Sequence, residues 1–178
     1  MRARPLVGLL LSGALIASLV FLAAPVGAGG IGPVPDLKIS KSTSGPFLRN
    51  NKYNTTAKHQ TVKKTTSPGG TKRFYLKVEN DSSDTIFTNV VLGAPPGFGC
   101  FKVRFFGEGF NAIDDFTSMF NSKFGQLYEP GQVRKFRVEM KARSNCGPGN
   151  VQGTVITGFE LSGVPFDSDA VKVKLKVV

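Results

Sequence analysis

Short stretches in which every second residue is apolar constrain this chain more than any other feature. Phe74, Leu76 and Val78 alternate with Arg73, Tyr75, Lys77 and Glu79, and Phe101, Val103 and Phe105 with Lys102 and Arg104. Phe136, Val138 and Met140 alternate with Lys135, Arg137, Glu139 and Lys141, and Val171, Val173, Leu175 and Val177 with Lys172, Lys174 and Lys176. Successive side chains of an extended strand point to opposite faces, so a period of two describes strands with one face in a core and the other in water. Further strands are read at 37–40, 60–66, 85–92, 125–128 and 151–161, between turn signals such as Ser67-Pro68-Gly69-Gly70, Pro95-Pro96-Gly97 and Glu129-Pro130-Gly131. No long helical crossover is available to join parallel neighbours, so the expected fold is all-β, an antiparallel two-sheet sandwich of about eight or nine strands. One stretch breaks the period. Ile113, Phe116, Met119 and Phe120 recur at three- and four-residue steps behind Asn111, with Asp114 and Asp115 placed for a first helical turn, which predicts one short helix over 111–120 in a connection.

The amino-terminal segment reads as an address. Arg2 and Arg4 precede an apolar run over 6–24, and Val26-Gly27-Ala28 offers small residues for cleavage, so 1–28 is expected to be a signal peptide, or an N-terminal anchor if it stays uncleaved. A Gly/Pro linker over 29–35 and a single domain over 36–178 follow, with no expected membrane span after leader cleavage. Neither cysteine lies at the cleavage point, which argues against lipid attachment there. The chain has 178 residues, with 23 Lys+Arg against 12 Asp+Glu. Two of those basic residues belong to the leader, so the exported part keeps an excess of nine positive charges. Outside the cytoplasm two thiols usually pair, and Cys100 with Cys146 would close a loop worth roughly 4 kcal/mol in the chain-entropy model. Two separate buried thiols are the alternative. A metal site is disfavoured, since the sole histidine, His59, is remote in sequence and no Cys-x-x-Cys occurs.

The order of these segments carries a resemblance. "PDLKI" (35–39), "NNKYN" (50–54), "FYLKVENDSSDTIFT" (74–88), "GFGCFKVRFFG" (97–107), "LYEPGQ" (127–132), "VITGFELS" (155–162) and "DAVKVKLKV" (169–177) together resemble bacterial extracellular immunoglobulin-like (Ig-like) modules. The similar families are the CARDB (cell-adhesion-related) and NEW3 (α-galactosidase-associated) types. The resemblance implies an Ig-like β-sandwich over 35–178, non-catalytic, serving as a spacer, adhesion or presentation domain. It also implies that Cys100 and Cys146 fall at the same pole, where a bridge would tie together the connections between the two sheets. The chain departs from the usual pattern of these families by carrying its two cysteines.

Candidate functional residues are few. His59 sits in a polar loop and is a weak base for any nucleophile, and Asp114 with Asp115 would diverge by about 100° on a helix instead of facing one bond. Asp81 and Asp84, and separately Asp167 and Asp169, gather oxygen ligands in short turns and are weak calcium candidates, although Asp and Ser also favour turns through local hydrogen bonds. No cofactor is implied. The strongest hint is charge: Lys172, Lys174 and Lys176 share one strand face, Lys135, Arg137 and Lys141 a second, and Lys102 with Arg104 a third. Such faces attract anionic polymers, or simply keep an edge from pairing with another chain. Phe106 and Phe110 are expected to be an exposed aromatic pair beside them, unless the helix covers them. The sequence therefore predicts a secreted or envelope-associated, non-enzymatic module, monomeric, acting on an unknown envelope protein. The alternative is a binding module for acidic glycan or another envelope polyanion; nucleic acid is a less suitable partner.

Overall fold

Alternating sequence becomes alternating burial. The computed structural model describes residues 35–48, 53–92, 99–118, 124–160 and 168–178, so the leader and most of the linker lie outside the described residues. Phe74, Leu76 and Val78 of one strand, Phe136, Val138 and Met140 of its neighbour, and Val171, Val173, Leu175 and Val177 of the last are all buried, as the period-two reading requires. Each such side chain removed from water contributes roughly 1.5–3 kcal/mol, which makes this repeated pattern the main organiser of the fold.

Nine strands are described: β1 (Pro35–Ser40), β2 (Thr61–Thr66), β3 (Thr71–Asn80), β4 (Ile86–Leu92), β5 (Phe101–Phe106), β6 (Phe124–Tyr128), β7 (Val133–Ala142), β8 (Val151–Glu160) and β9 (Ser168–Val177). They form a four-stranded sheet in the order β1-β3-β7-β5 and a five-stranded sheet in the order β2-β9-β8-β4-β6. The core lies between them, where Leu37, Ile39, Phe74, Leu76, Phe105 and Phe136 of the first sheet meet Val62, Ile86, Val90, Ile156 and the β9 valines of the second. This is an Ig-like β-sandwich. Close packing between the layers requires bare backbone at one point: a Cβ on Gly158 of β8 would stand 2.5 Å from a Leu37 methyl of β1.

Three details differ from the sequence reading. Pro35 already belongs to β1, so the linker ends one residue early. β2 runs parallel to β9, with Val62 opposite Val173 and Lys63 opposite Lys174, whereas every other strand pair among the described residues is antiparallel. The chain leaves β1 in one sheet and enters the other at its edge beside the final strand; the Lys172 amide donates to the Gln60 carbonyl (2.9 Å) and the Val178 amide to the Thr66 carbonyl (2.9 Å). The third concerns the helix, which does not form over 111–116. Asp115 makes a β-bridge with Phe106, the Phe116 amide donates to the Phe105 carbonyl (2.8 Å), and the Phe105 amide to Thr117 Oγ1 (2.9 Å). The segment thus uses its backbone to extend the β5 edge, and only Thr117 and Ser118 are helical before the described stretch ends. Phe116 packs against the core as its apolar character requires, while Ile113 is 85% exposed. Phe120 lies outside the described residues.

Polar groups inside the sandwich are tied to the backbone. Asp169, at the start of β9, accepts from the amides of Leu37 (2.9 Å), Asn54 (3.1 Å) and Ala170 (2.8 Å), and from Gln60 Nε2 (3.2 Å). Those donors come from β1, from the β1–β2 crossing and from β9, so one carboxylate fastens the crossing to both sheets. Burial pushes its carboxyl above the usual range despite the donors. No helix among the described residues is long and apolar enough to cross a membrane.

Candidate functional site

Basic strand faces are the main candidates, and the fold sends them to two opposite sides. Lys102, Arg104, Lys135, Arg137 and Lys141 lie on β5 and β7, on the outer face of the first sheet; Lys172, Lys174 and Lys176 lie on β9, on the outer face of the second. The expected ridges are therefore two separate surfaces.

On the first sheet, register places acids among the bases. Arg104 stands opposite Glu139, and Glu139 opposite Arg73. Glu139 pairs with Arg73 (2.8 Å) and Arg137 (3.2 Å), and Arg104 approaches Asp115 (3.9 Å). Arg137 also lays its guanidinium over the Phe106 ring, 4.4 Å from the centroid, and donates to the Phe110 carbonyl (2.9 Å). Phe106 is consequently only 7% exposed, which corrects the expected exposed pair. Phe110 is half-buried and stacks on Phe47 at 6.0 Å and edge-on to Tyr75 at 5.2 Å, while Lys77 caps Phe47 at 4.2 Å. These rings fill one another's faces and hold the connections over 41–48 and 107–116 down on the sheet. Loop cover, invisible to strand periodicity, is the physical reason.

On the second sheet the lysines stand differently. Lys172, Lys174 and Lys176 face Thr61, Lys63 and Thr65 of β2 on one side and Val155, Gly153 and Val151 of β8 on the other. A Cβ on Gly153 would meet Lys172 Cε at 3.0 Å and Lys174 Cγ at 3.3 Å, so the lysine stems lie across that bare position. Among the described residues, none of the lysines of β2 and β9 is in an ion pair. At the open edge of the sandwich, where β2 passes β3, they line a groove of about 620 Å³ whose walls are Lys41, Lys63, Lys64, Thr65, Lys72 and Lys176.

Lys64 anchors that groove. It shares its strand face with buried Val62 and Thr66, so it points between the sheets, and its ammonium donates to the carbonyls of Lys41 (2.8 Å) and Arg73 (2.6 Å). Burial, together with the charges of Lys72 and Lys41, holds its pKa below the usual lysine value. An inward lysine on an edge strand is also a guard against pairing with another sheet. Sequence reasoning found Lys176 but missed Lys41, Lys63, Lys64 and Lys72. The available signal was the Val62-Lys64-Thr66 alternation, in which a charged residue occupies a core-facing place; such a residue marks a sheet edge. A depression on the first sheet, lined by Thr71, Lys102, Arg104, Glu139 and Lys141, is smaller at about 220 Å³ and contains a carboxylate.

The remaining candidates have other partners. Asp81 accepts from the Tyr53 hydroxyl (2.9 Å), and its carboxylate groups with those of Asp36 and Glu79, all within 4.8 Å, not with Asp84. Lys38 places its ammonium against Asp36 (3.2 Å) and Glu79, so a built-in cation already serves that cluster. Asp84 contributes its backbone carbonyl to the Asn80 amide side chain (2.7 Å) and the Ser82 hydroxyl (2.9 Å), a turn-forming role. Asp169 is the buried structural carboxylate described above, and Asp167 lies outside the described residues. His59 occupies an exposed turn at φ 64°. Cys100 and Cys146 form a disulfide with Cα atoms 5.3 Å apart. It joins the β4–β5 and β7–β8 connections, both of which pass from one sheet to the other, at the pole the resemblance implied.

No family model matches the chain, and no curated protein matches it. Solved structures do. The N-terminal domain of PorA is 17% identical, with 80% of this chain and 97% of that one covered and a TM-score of 0.48. PapD-like domain 7 of human CEP192 is 15% identical over 88% and 95% (TM-score 0.45), and the CooA pilin subunit from enterotoxigenic Escherichia coli 14% identical over 82% and 99% (TM-score 0.42). The CARDB and NEW3 types read from the motif order have no family match behind them.

Proposed function

We propose that the protein is an exported, non-catalytic Ig-like module of the CARDB or NEW3 kind that acts by surface interaction at the cell envelope, and that its working surface is the lysine edge formed by β2 and β9. The partner on this reading is an anionic polymer of the envelope, acidic glycan foremost. One observation carries it: lysines from β2, β9 and β3, with Lys41, converge on a groove that no carboxylate lines among the described residues. Like charges brought together without counter-charges lower the stability of the free protein, and an anionic partner relieves that repulsion on binding. The arginine and lysine face of the first sheet lacks this property, because Glu139 and Asp115 already stand among its charges.

Other features support the setting. The disulfide and the leader-like amino terminus suit an oxidising compartment outside the cytoplasm. Both thiols are consumed in the bridge, His59 stands in an exposed turn, and Glu79 and Glu139 of the first sheet are held in ion pairs. The purified protein should bind a heparin column as a model acidic polysaccharide and elute as salt rises, since exposed charges are screened over about 8–10 Å at physiological ionic strength. Passage through the column unretained at low salt would remove this function.

A further inference from the structure

The lysine groove has an apolar neighbour. A second cavity of about 440 Å³ adjoins it, walled by Pro46, Leu48, Thr61 and Val62 among others, and Lys41 and Lys63 belong to the walls of both. Val62 is part of the core and Leu48 packs against it, while the Leu48 amide donates to the Ile39 carbonyl (2.9 Å) and fixes this side of the slot to β1. No acidic side chain lines either cavity among the described residues.

Hydrocarbon on one side and uncompensated positive charge on the other select for a molecule with both parts. A purely polar polymer would occupy the lysines and leave the slot hydrated. A neutral lipid would fill the slot and leave the lysines without a counter-ion. Lysine suits the boundary, because its methylene stem can lie along an acyl chain while its ammonium meets the head.

We infer that the two cavities form one binding site for an anionic amphiphile, an alkyl or acyl chain bearing a phosphate or carboxylate head. The head sits among Lys63, Lys72 and Lys176, and the chain lies in the slot beside Leu48 and Val62. This rests on the reading that the lysine edge takes anions, and specifies what else the anion carries.

Isothermal titration of the full exported chain with octyl phosphate, inorganic phosphate, octyl glucoside and polyphosphate tests it. Octyl phosphate should bind about tenfold or more tighter than either inorganic phosphate or octyl glucoside, since each methylene taken from water adds to affinity. Lys63→Gln should weaken octyl phosphate and polyphosphate alike. Leu48→Asp, in protein whose melting shows it folded, should weaken octyl phosphate and leave polyphosphate within about twofold. Competition by octanoate or by phosphatidylglycerol vesicles, either of which supports the site, distinguishes a free fatty acid from a membrane lipid as its source. Polyphosphate binding with octyl phosphate no tighter than inorganic phosphate overturns this inference and leaves the polyanion reading standing. Failure of every anion to bind overturns both.

Discussion

The two outer faces of this sandwich both carry rows of basic residues and use them in opposite ways. On the first sheet, Arg73, Arg104 and Arg137 share Glu139 and Asp115, and Arg137 shields Phe106. On the second, the lysines of β2 and β9 lie beside threonine, valine and glycine. Lys38 and Lys64 make the contrast within one residue type. Burial opposes the charge of both, but Glu79 and Asp36 raise Lys38 above the usual lysine value, whereas Lys72 and Lys41 add to the lowering of Lys64. Counting positive charge in a strand thus says little; the cross-strand neighbour decides whether the charge is already neutralised or still open to a partner.

The comparison can be broken from the stability side first. Replacing both cysteines by serine should cost about 2–4 kcal/mol in urea unfolding, because the 46-residue separation across the bridge is no longer closed in the unfolded chain. Heparin retention of the protein that remains folded should be unchanged, since the bridge joins the β4–β5 and β7–β8 connections and not β2 or β9. Next in size, Lys172→Gln/Lys174→Gln/Lys176→Gln should lower affinity for an acidic polysaccharide by about tenfold or more, while Lys102→Gln/Lys141→Gln changes it by less than about twofold. Equal losses in the two variants would show that bulk charge, not the lysine edge, does the binding.

Smaller effects sharpen the picture. Glu139→Gln should destabilise the fold by about 1 kcal/mol, because it strips the shared partner from Arg73 and Arg137, whereas Lys174→Gln should change stability by no more than about 0.5 kcal/mol. Titration of the lysine ammonium groups by NMR should find Lys64 losing its proton below pH 10.5 and Lys38 above it. The signs follow. Stability contributed by Lys38 is full below the ordinary lysine range and is lost as pH rises through its folded value, while the cost of charging Lys64 is relieved as pH rises through its own. An added polyanion should raise Lys64 and leave Lys38 unmoved.

Alternation, with the turn signals between segments, was enough to read the strands and their inward residues, while the pole where Cys100 meets Cys146 came from the resemblance. It states which side of a strand a residue occupies. It does not state which strands are neighbours or what later covers a face. For that reason Arg137 over Phe106, the buried Lys38 with its two acids, and the grouping of Asp81 with Asp36 and Glu79 were not legible; each joins residues far apart in the chain. The helix expected over 111–120 is absent over 111–116 for a related reason. Its apolar spacing was real, but the free edge of β5 offered Phe116 and Thr117 better hydrogen-bond partners than a short helix could. The groove depended on β2 lying parallel to β9, a pairing that no local pattern announces.

The most direct measurement of the central claim is an amide chemical-shift map of the exported chain titrated with a short acidic oligosaccharide at low salt. The changes should concentrate in β2 (Thr61–Thr66), β9 (Ser168–Val177) and Lys41, and should fade as salt is added. Changes centred on β5 and β7, or none at all, would contradict it.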